Sequence, residues 1–195
     1  MKFLRFKNKA DSLNDDGQIK SGFLDDDNKI IELKGDILDY FNKDIKSILD
    51  NMISSHSLDD IEILSPTEPS KIVCIGLNYK DHAKELNLDL PESPVIFIKP
   101  STTINRTDNI IIYPKVSKQI DYEGELAVVI GKKIKQVSVE EADDYIFGYT
   151  IINDVTARDF THGDGQWTRG KSCDGFAPIG PYIETDLDPL NQNIV

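Results

Sequence analysis

Residues 122–131 (YEGELAVVIG) constrain the fold more than any other segment, because they place two acids in an otherwise strand-like sequence. Side chains alternate between the two faces of a strand, so Glu123 and Glu125 point the same way. Neighbouring carboxylates repel each other, and burial penalises both unless a counter-charge is present. A divalent cation would supply that charge, although the commoner use of alternating polar residues is an edge strand with exposed acids. Spacing alone leaves both interpretations open.

A third carboxylate lies at the end of another predicted strand. Residues 149–154 (YTIIND) indicate a strand that ends on Asp154, where a side chain can meet Glu123 and Glu125 on a neighbouring strand. Ligand sets made only of oxygen suit magnesium, manganese or calcium rather than zinc. The three acids are therefore candidate ligands of a hard cation.

The first part of the chain predicts a small β-rich domain. Short apolar runs, separated by turn-forming residues at 14–17 and 25–28, predict an antiparallel meander. The next apolar residues recur at helical spacing and predict one amphipathic helix; they are Ile37, Phe41, Ile45, Ile48 and Met52. Prolines then interrupt the chain within residues 65–70, so we predict a boundary between domains of residues 1–68 and 69–195.

The rest of the chain predicts strands joined by short helices. The predicted strands are residues 71–76, 94–98, 109–113, 122–131 and 149–154, the first and the fourth with buried apolar side chains. A short helix is predicted from the spacing of Tyr79, Ala83 and Leu86. Residues 138–141 (SVEE) have the form of a capping box, which predicts a helix from there to about Phe147. The predicted fold class is therefore α+β and β-rich.

Composition argues against several classes of protein. The net charge of −12 argues against nucleic-acid binding, which needs clustered Lys and Arg. Cys74 and Cys173 lie far apart and predict buried hydrophobes rather than a disulfide or a thiolate metal site. The N-terminus turns polar too quickly for a signal peptide, and no apolar run is long enough to span a bilayer. We therefore expect a cytoplasmic protein without nucleic-acid or membrane partners.

Two further motifs are candidates for catalysis. His82 and Glu85 are three residues apart in the predicted short helix, so the carboxylate can orient the imidazole for acid–base work. An ordinary surface ion pair has the same spacing. Lys171 lies in a polar, glycine-rich loop, residues 161–175, where its ammonium can neutralise an enolate or carboxylate, or simply face solvent.

Five segments between residues 70 and 182 resemble, in their order, the fumarylacetoacetate hydrolase family. They are residues 75–85 (IGLNYKDHAKE), 94–101 (PVIFIKPS), 121–132 (DYEGELAVVIGK), 153–159 (NDVTARD) and 165–172 (GQWTRGKS), the last running on to Gly180 and Pro181. The ordered set is far more specific than any one segment. It therefore favours the cation-site interpretation of the three acids.

The resemblance implies a fold and a set of roles. Residues 69–195 would form the mixed β-sandwich roll of the family, as a homodimer that uses magnesium or manganese, with calcium as a further candidate. The implied metal ligands are Glu123, Glu125 and Asp154. The implied catalytic residues are His82 and Glu85, as an acid–base pair, and Lys171, facing the oxyanion of the substrate. The implied substrate contacts are Gln166, Asn78 and Lys99.

The resemblance also implies a class of substrate, a small 2-oxo acid or its enol. The implied reaction is hydrolysis of a carbon–carbon bond in acylpyruvate-like acids, with decarboxylation of oxaloacetate as a further activity. The alternatives are isomerisation of hydroxymuconate-type or 2-hydroxyhepta-2,4-diene-1,7-dioate acids, or an inactive remnant that only binds metal. Because the family's catalytic domain usually continues beyond the point matching Leu190, we expect this chain to lack a C-terminal part.

Overall fold

The computed structural model describes residues 1–10, 17–85 and 87–193, and within them the protein is rich in strands. The strands are β1 (Lys2–Asn8), β2 (Lys20–Leu24), β3 (Lys29–Leu33), β4 (Met52–Ser57), β5 (Ile61–Ile63), β6 (Lys71–Gly76), β7 (Val95–Pro100), β8 (Ile104–Arg106), β9 (Ile120–Asp121), β10 (Gly124–Ile130), β11 (Ile146–Asn153), β12 (Thr156–Ala157) and β13 (Ala177–Glu184). The α-helices are α1 (Ile45–Leu49), α2 (Lys80–Glu85), α3 (Arg158–Asp164) and α4 (Thr168–Lys171). Short 3₁₀ turns cover Ile37–Tyr40, Leu58–Asp60, Ser101–Thr103 and Ala142–Tyr145. The predicted α+β, β-rich class is confirmed.

One large sheet carries most of these strands. In the described ranges it has nine strands, in the order β10-β11-β13-β1-β2-β3-β4, with β5 also paired to β1 and β8 paired to β13. The pairs are antiparallel except β8 with β13, which is parallel. Two small sheets, β12 with β9 and β6 with β7, complete the strand pairing that the structure describes. The candidate acids therefore lie at one end of the large sheet, where β10 is the edge strand.

The predicted N-terminal meander is confirmed for β1, β2 and β3, which pair in sequence as antiparallel neighbours. The predicted turn at residues 14–17 falls largely outside the described residues. Strand β1 also pairs with β13, and Phe3, Phe147 and Ile183 share one buried cluster. The large sheet thus contains strands from both sides of the predicted boundary at residues 65–70, and the boundary itself stays a prediction.

The single helix predicted from Ile37 to Met52 is wrong. The chain forms a 3₁₀ turn at Ile37–Tyr40 and the short α1, and Met52 already begins β4. Asp36 and Asp44 explain the division, because each side chain accepts a backbone N–H and so begins a separate helical turn. Asn42, between them, has a φ of 55°, which a continuous right-handed helix does not allow.

Two other predicted elements differ from the structure. Residues 109–113 form no strand and run as irregular chain. The capping-box hydrogen bonds between Ser138 and Glu141 are present, yet only the 3₁₀ turn Ala142–Tyr145 follows them. Pairing of Ile146 with Ile130 draws the chain into β11 at that point, so tertiary pairing overrides the local helix signal. The helix predicted near Tyr79 is found as α2, although Leu86 lies outside the described residues.

The burial predicted for two strands is also wrong in part. Val128 and Ile130 of β10 are 48% and 46% exposed, because β10 is an edge strand and that face has no covering layer in the described part of the chain. Val73 of β6 is also exposed, because within the described ranges β6 pairs only with β7 and packs on one face. No helix among the described residues is long and apolar enough to cross a membrane.

Candidate metal centre and active site

Three carboxylates converge where β10 and β11 meet. Glu123 immediately precedes β10, Glu125 is its second residue, and Asp154 directly follows β11. The antiparallel register places Gly124 opposite Asn153, and the backbone N–H of Asp154 donates to the carbonyl of Glu123 at 2.8 Å. One carboxylate oxygen from each acid lies within 4.8 Å of the others. The expected meeting of the three acids is therefore present in the structure.

Basic side chains hold two of these acids in place. The ammonium of Lys171 donates to Oε2 of Glu123 and to Oδ2 of Asp154, at 2.6 Å in both cases. Lys99 Nζ donates to the other oxygen of Asp154, Oδ1, also at 2.6 Å. Arg158 binds Oε1 of Glu123. Each oxygen of Asp154 and Glu123 thus has a positively charged donor.

Glu125 differs from its two neighbours, because no described residue donates a hydrogen bond to its carboxylate. Burial is the main reason why its pKa is raised from 4.5 to about 7, and the charges of Asp154 and Glu123 raise it further. A half-buried carboxylate beside two others, without a donor of its own, suits an added cation. The residues present therefore fit a hard divalent cation, with oxygen ligands from all three acids.

Lys99 and Asp154 are the most buried charged groups of the site, with 0% and 1% of their side chains exposed. Burial lowers the pKa of Lys99, and the charge of Asp154 opposes that effect. Lys99 also donates to the backbone carbonyl of Val155 at 3.1 Å, so its ammonium binds both the side chain of Asp154 and the backbone next to it. The role of Lys99 as a substrate contact stays a prediction; in this structure it orients Asp154.

Burial also raises the pKa of the neighbouring Cys74 thiol to about 12, which fits the interpretation of Cys74 as a buried hydrophobe.

Packing around Trp167 positions Lys171. The ring of Trp167 meets that of Phe97 on β7 edge to face, with centroids 5.3 Å apart, and Lys171 Nζ lies 5.1 Å from the Phe97 centroid. A methyl group added at Gly76 on β6 would lie 2.1 Å from the Trp167 ring, so only glycine allows this approach. Gly170 likewise lets α4 approach the carbonyl of Ala157, at 2.7 Å from an added methyl. These contacts direct the Lys171 side chain toward the acids.

The predicted acid–base pair lies on α2, near the site but without a described contact to the acids. His82 Nδ1 is 3.8 Å from Glu85 Oε2, and the two side chains are 42% and 79% exposed. The start of α2 is tied to β10, because the backbone N–H of Leu126 donates to the hydroxyl of Tyr79 at 2.8 Å. Because Leu126 follows Glu125 in β10, that bond places the residue before α2 beside the strand position next to Glu125.

The predicted substrate contacts Asn78 and Gln166 are exposed side chains in loops. Gln166 Oε1 accepts the backbone N–H of Thr168, the first residue of α4, at 3.0 Å. The structure therefore brings together the three acids and the two lysines, and it leaves Asn78, Gln166 and the His82–Glu85 pair at the solvent side.

Sequence reasoning missed Arg158 and Asp121. The guanidinium of Arg158 bridges Glu123 and Asp121, with Nε 2.8 Å from Asp121 Oδ2. Burial acts to lower the Arg158 pKa, but the bond to Asp121 and the charge of Glu123 outweigh it, so the net pKa is raised. Both residues lie inside segments quoted above, at 153–159 and 121–132. No local pattern in these segments pairs Arg158 with Glu123, which lies 35 residues earlier in the chain.

Comparison with known proteins gives this site a context. The family model described as "Fumarylacetoacetate (FAA) hydrolase C-terminal" matches residues 71–194, well over half of the chain. The chain belongs to the fumarylacetoacetate hydrolase family. An uncharacterized protein of Methanocaldococcus jannaschii is 61% identical over 127 residues, which are 65% of this chain and 54% of that protein. The oxaloacetate tautomerase fahd2 of Xenopus laevis is 43% identical over 155 residues, which are 76% of this chain and 49% of that protein.

Solved structures of the fumarylacetoacetate hydrolase type share the fold. The 5-carboxymethyl-2-hydroxymuconate delta-isomerase of Mycobacterium smegmatis superposes with a TM-score of 0.80 at 36% identity, over 97% of this chain and 68% of the isomerase. The predicted roll of this family is thereby confirmed. The chain spans about half the length of the curated relatives it matches.

Replacing Lys99 tests how far the site depends on its buried ion pair. We expect Lys99→Met to lower the free energy of unfolding by about 3 kcal/mol, because Asp154 would keep a buried charge with one donor fewer. Chemical denaturation of the metal-free protein measures the change. Lys133→Met, which alters an exposed lysine, is the matched control and should leave stability within about 0.5 kcal/mol of the parent. Equal stability of both variants would contradict the structural role of Lys99.

Replacing Glu125 tests the raised pKa in metal-free protein. The folded-state pKa of about 7 lies above the ordinary value of 4.5, so the folded form holds this proton more tightly than the unfolded form does. The stability of the fold therefore falls as the pH rises from 4.5 to about 7. Glu125→Gln imitates the protonated form. We expect it to have a higher Tm than the parent above pH 7 and the same Tm below about pH 4.5. A Tm difference that is independent of pH would contradict this explanation.

Adding a methyl group at Gly76 tests the contact that positions α4. Gly76→Ala would force the Trp167 ring to move, so we expect a shifted fluorescence emission and a loss of about 1–3 kcal/mol in stability. Trp167 is the only tryptophan, so its emission reports this contact alone. Gly163→Ala is the control, because an added methyl there meets nothing within 4 Å. An unshifted emission spectrum in Gly76→Ala would show that the ring does not pack as described.

Proposed function

We propose that this chain carries the site of a divalent-metal-dependent enzyme that moves a proton between the keto and enol forms of 2-oxo acids. The observation that carries the proposal is the convergence of Glu123, Glu125 and Asp154 beside the buried ammonium of Lys171, with no described residue donating to Glu125. Magnesium and manganese suit such ligands, and calcium is a further candidate. The activities for which the similar proteins are named, oxaloacetate tautomerase and hydroxymuconate isomerase, support proton transfer.

The proposed chemistry divides between the metal and the chain. When bound, the divalent cation withdraws charge from the oxygens of a 2-oxo carboxylate. Lys171 would then stabilise the negative charge that develops on the enolate oxygen. His82, oriented by Glu85, would take the proton from the carbon next to the keto group and return it to the enol oxygen. The exposure of both side chains on α2 suits a group that must meet substrate from the solvent side.

Exposed polar side chains would orient the substrate. Asn78 lies two residues before α2, which carries His82, and Gln166 lies two residues before α4, which carries Lys171. Their amides can bind the carboxylate of an oxo acid. Lys99 would act indirectly, through Asp154.

The exposed apolar face of β10 supports our further proposal that the active form is a homodimer. We propose the cytoplasm as its compartment.

A second candidate is the reaction that the family resemblance implies, hydrolysis of a carbon–carbon bond in acylpyruvate-like acids, together with decarboxylation of oxaloacetate. The observation that favours it is the His82–Glu85 pair, because an imidazole beside a carboxylate can activate a water as readily as it moves a proton. A metal-binding chain without activity is the remaining alternative. Product analysis separates the three.

The test follows the ultraviolet absorbance of the enols of oxaloacetate and acetylpyruvate, with and without Mn²⁺, and measures pyruvate in parallel. We expect metal-dependent loss of the oxaloacetate enol without pyruvate. Pyruvate formed at the same rate would instead establish decarboxylation or hydrolysis. Metal dependence that persists in Glu123→Ala would contradict the proposed site.

Replacing His82 tests the acid–base step. We expect His82→Ala to lower kcat by about 10²–10⁴, the usual contribution of a general acid or base. His162→Ala, which alters an exposed histidine on α3, is the matched control and should retain the rate. Equal rates in the two variants would assign the proton transfer to another group.

A further inference from the structure

The ammonium of Lys171 lies between the same carboxylate oxygens that a metal would need. It is 2.6 Å from Glu123 Oε2 and 2.6 Å from Asp154 Oδ2. The remaining oxygens of these acids are bound by Arg158 and Lys99. A cation that takes one oxygen from each of Glu123, Glu125 and Asp154 must therefore share oxygens with a positively charged donor or displace it.

Of the three basic side chains that bind the acids, Lys171 is the one that a cation would displace most easily. Lys99 is fully buried and has a second bond, to the carbonyl of Val155, while Arg158 is also held by Asp121. In the described part of the chain, the Lys171 ammonium donates hydrogen bonds only to the two acids, and the ring centroid of Phe97 lies 5.1 Å away. An aromatic face attracts an ammonium, so the Phe97 ring would keep the displaced group close to the site.

We propose that Lys171 is a tethered competitor of the metal: cation binding to Glu123, Glu125 and Asp154 displaces its ammonium from Glu123 and Asp154 and frees it for an anionic substrate. The inference rests on the proposed function, because it requires a divalent cation at these acids. The physical reason is that a dication and an ammonium held by the same two oxygens would repel each other at close range. Binding would therefore be ordered, with the metal before the oxo acid.

Amine labelling of the unmodified protein tests the exchange directly. Reductive methylation followed by peptide mass spectrometry is run on chelated protein and on protein saturated with Mn²⁺, with saturation measured separately by calorimetry. We expect Lys171, which is buried and bonded to two acids, to react slowly without metal and several-fold faster with it. Lys99 is the internal control and should stay unreactive in both states. If Mn²⁺ binds stoichiometrically and Lys171 stays as protected as before, the exchange is overturned while the metal site stands.

Metal affinity gives a second measurement. We expect Lys171→Met to bind Mn²⁺ about tenfold more tightly than the parent, the factor expected when the metal no longer displaces a charge-assisted hydrogen bond. Lys99→Met also removes a positive charge bound to Asp154, but it frees Oδ1 and not the oxygen that Lys171 binds. A general charge effect would therefore tighten binding equally in both variants. Equal tightening, or unchanged affinity in Lys171→Met, would overturn the competition. Absence of Mn²⁺ binding in the parent and in both variants would overturn the proposed function together with this inference.

Discussion

The charge of Asp154 is the constraint on which the rest of the site depends. Its carboxylate is almost fully buried, which is tolerable only because the ammoniums of Lys99 and Lys171 each take one of its oxygens. Lys99 lies on β7, Asp154 at the end of β11 and Lys171 on α4, so one buried acid joins three elements far apart in sequence. Lys99 in turn fixes β7, and through Phe97 and Trp167 the same strand packs against the start of α4.

The register of β10 on β11 then determines which acids join Asp154. Because Gly124 faces Asn153, the residue before β10 meets the residue after β11, and Glu125 follows on the same side. A slip of one residue would send Glu125 to the opposite face and separate the three carboxylates. The backbone bond from Asp154 to Glu123 and the bond from Glu123 N–H to the side chain of Asn153 hold this register where the ladder ends.

Sequence reasoning predicted the parts of this site that follow local rules. Alternation along β10 and the strand-ending position of Asp154 made the three acids candidates for one site but left exposed acids open as the alternative. The resemblance of five ordered segments to a known family then favoured their convergence. Their positively charged partners were not predictable in the same way, because Lys99 and Arg158 lie 55 and 35 residues from the acids they bind, and no local pattern encodes such a pair. The failed helices have a similar cause: Asp44 begins a new turn, and the pairing of Ile146 with Ile130 overrides a capping box whose hydrogen bonds do form.

Lys171 joins the stability of the site to its chemistry. As a counter-ion it stabilises a cluster whose acids would otherwise repel one another, and its two bonds keep α4 against the end of β11. In its proposed catalytic role it would have to release those acids and face a substrate, which requires another positive charge to take over its structural role. A divalent cation bound by the same oxygens meets that requirement, because it neutralises the acids more strongly than one ammonium does. Glu125, to which no residue in the described ranges donates, would then be the ligand at which the additional positive charge enters.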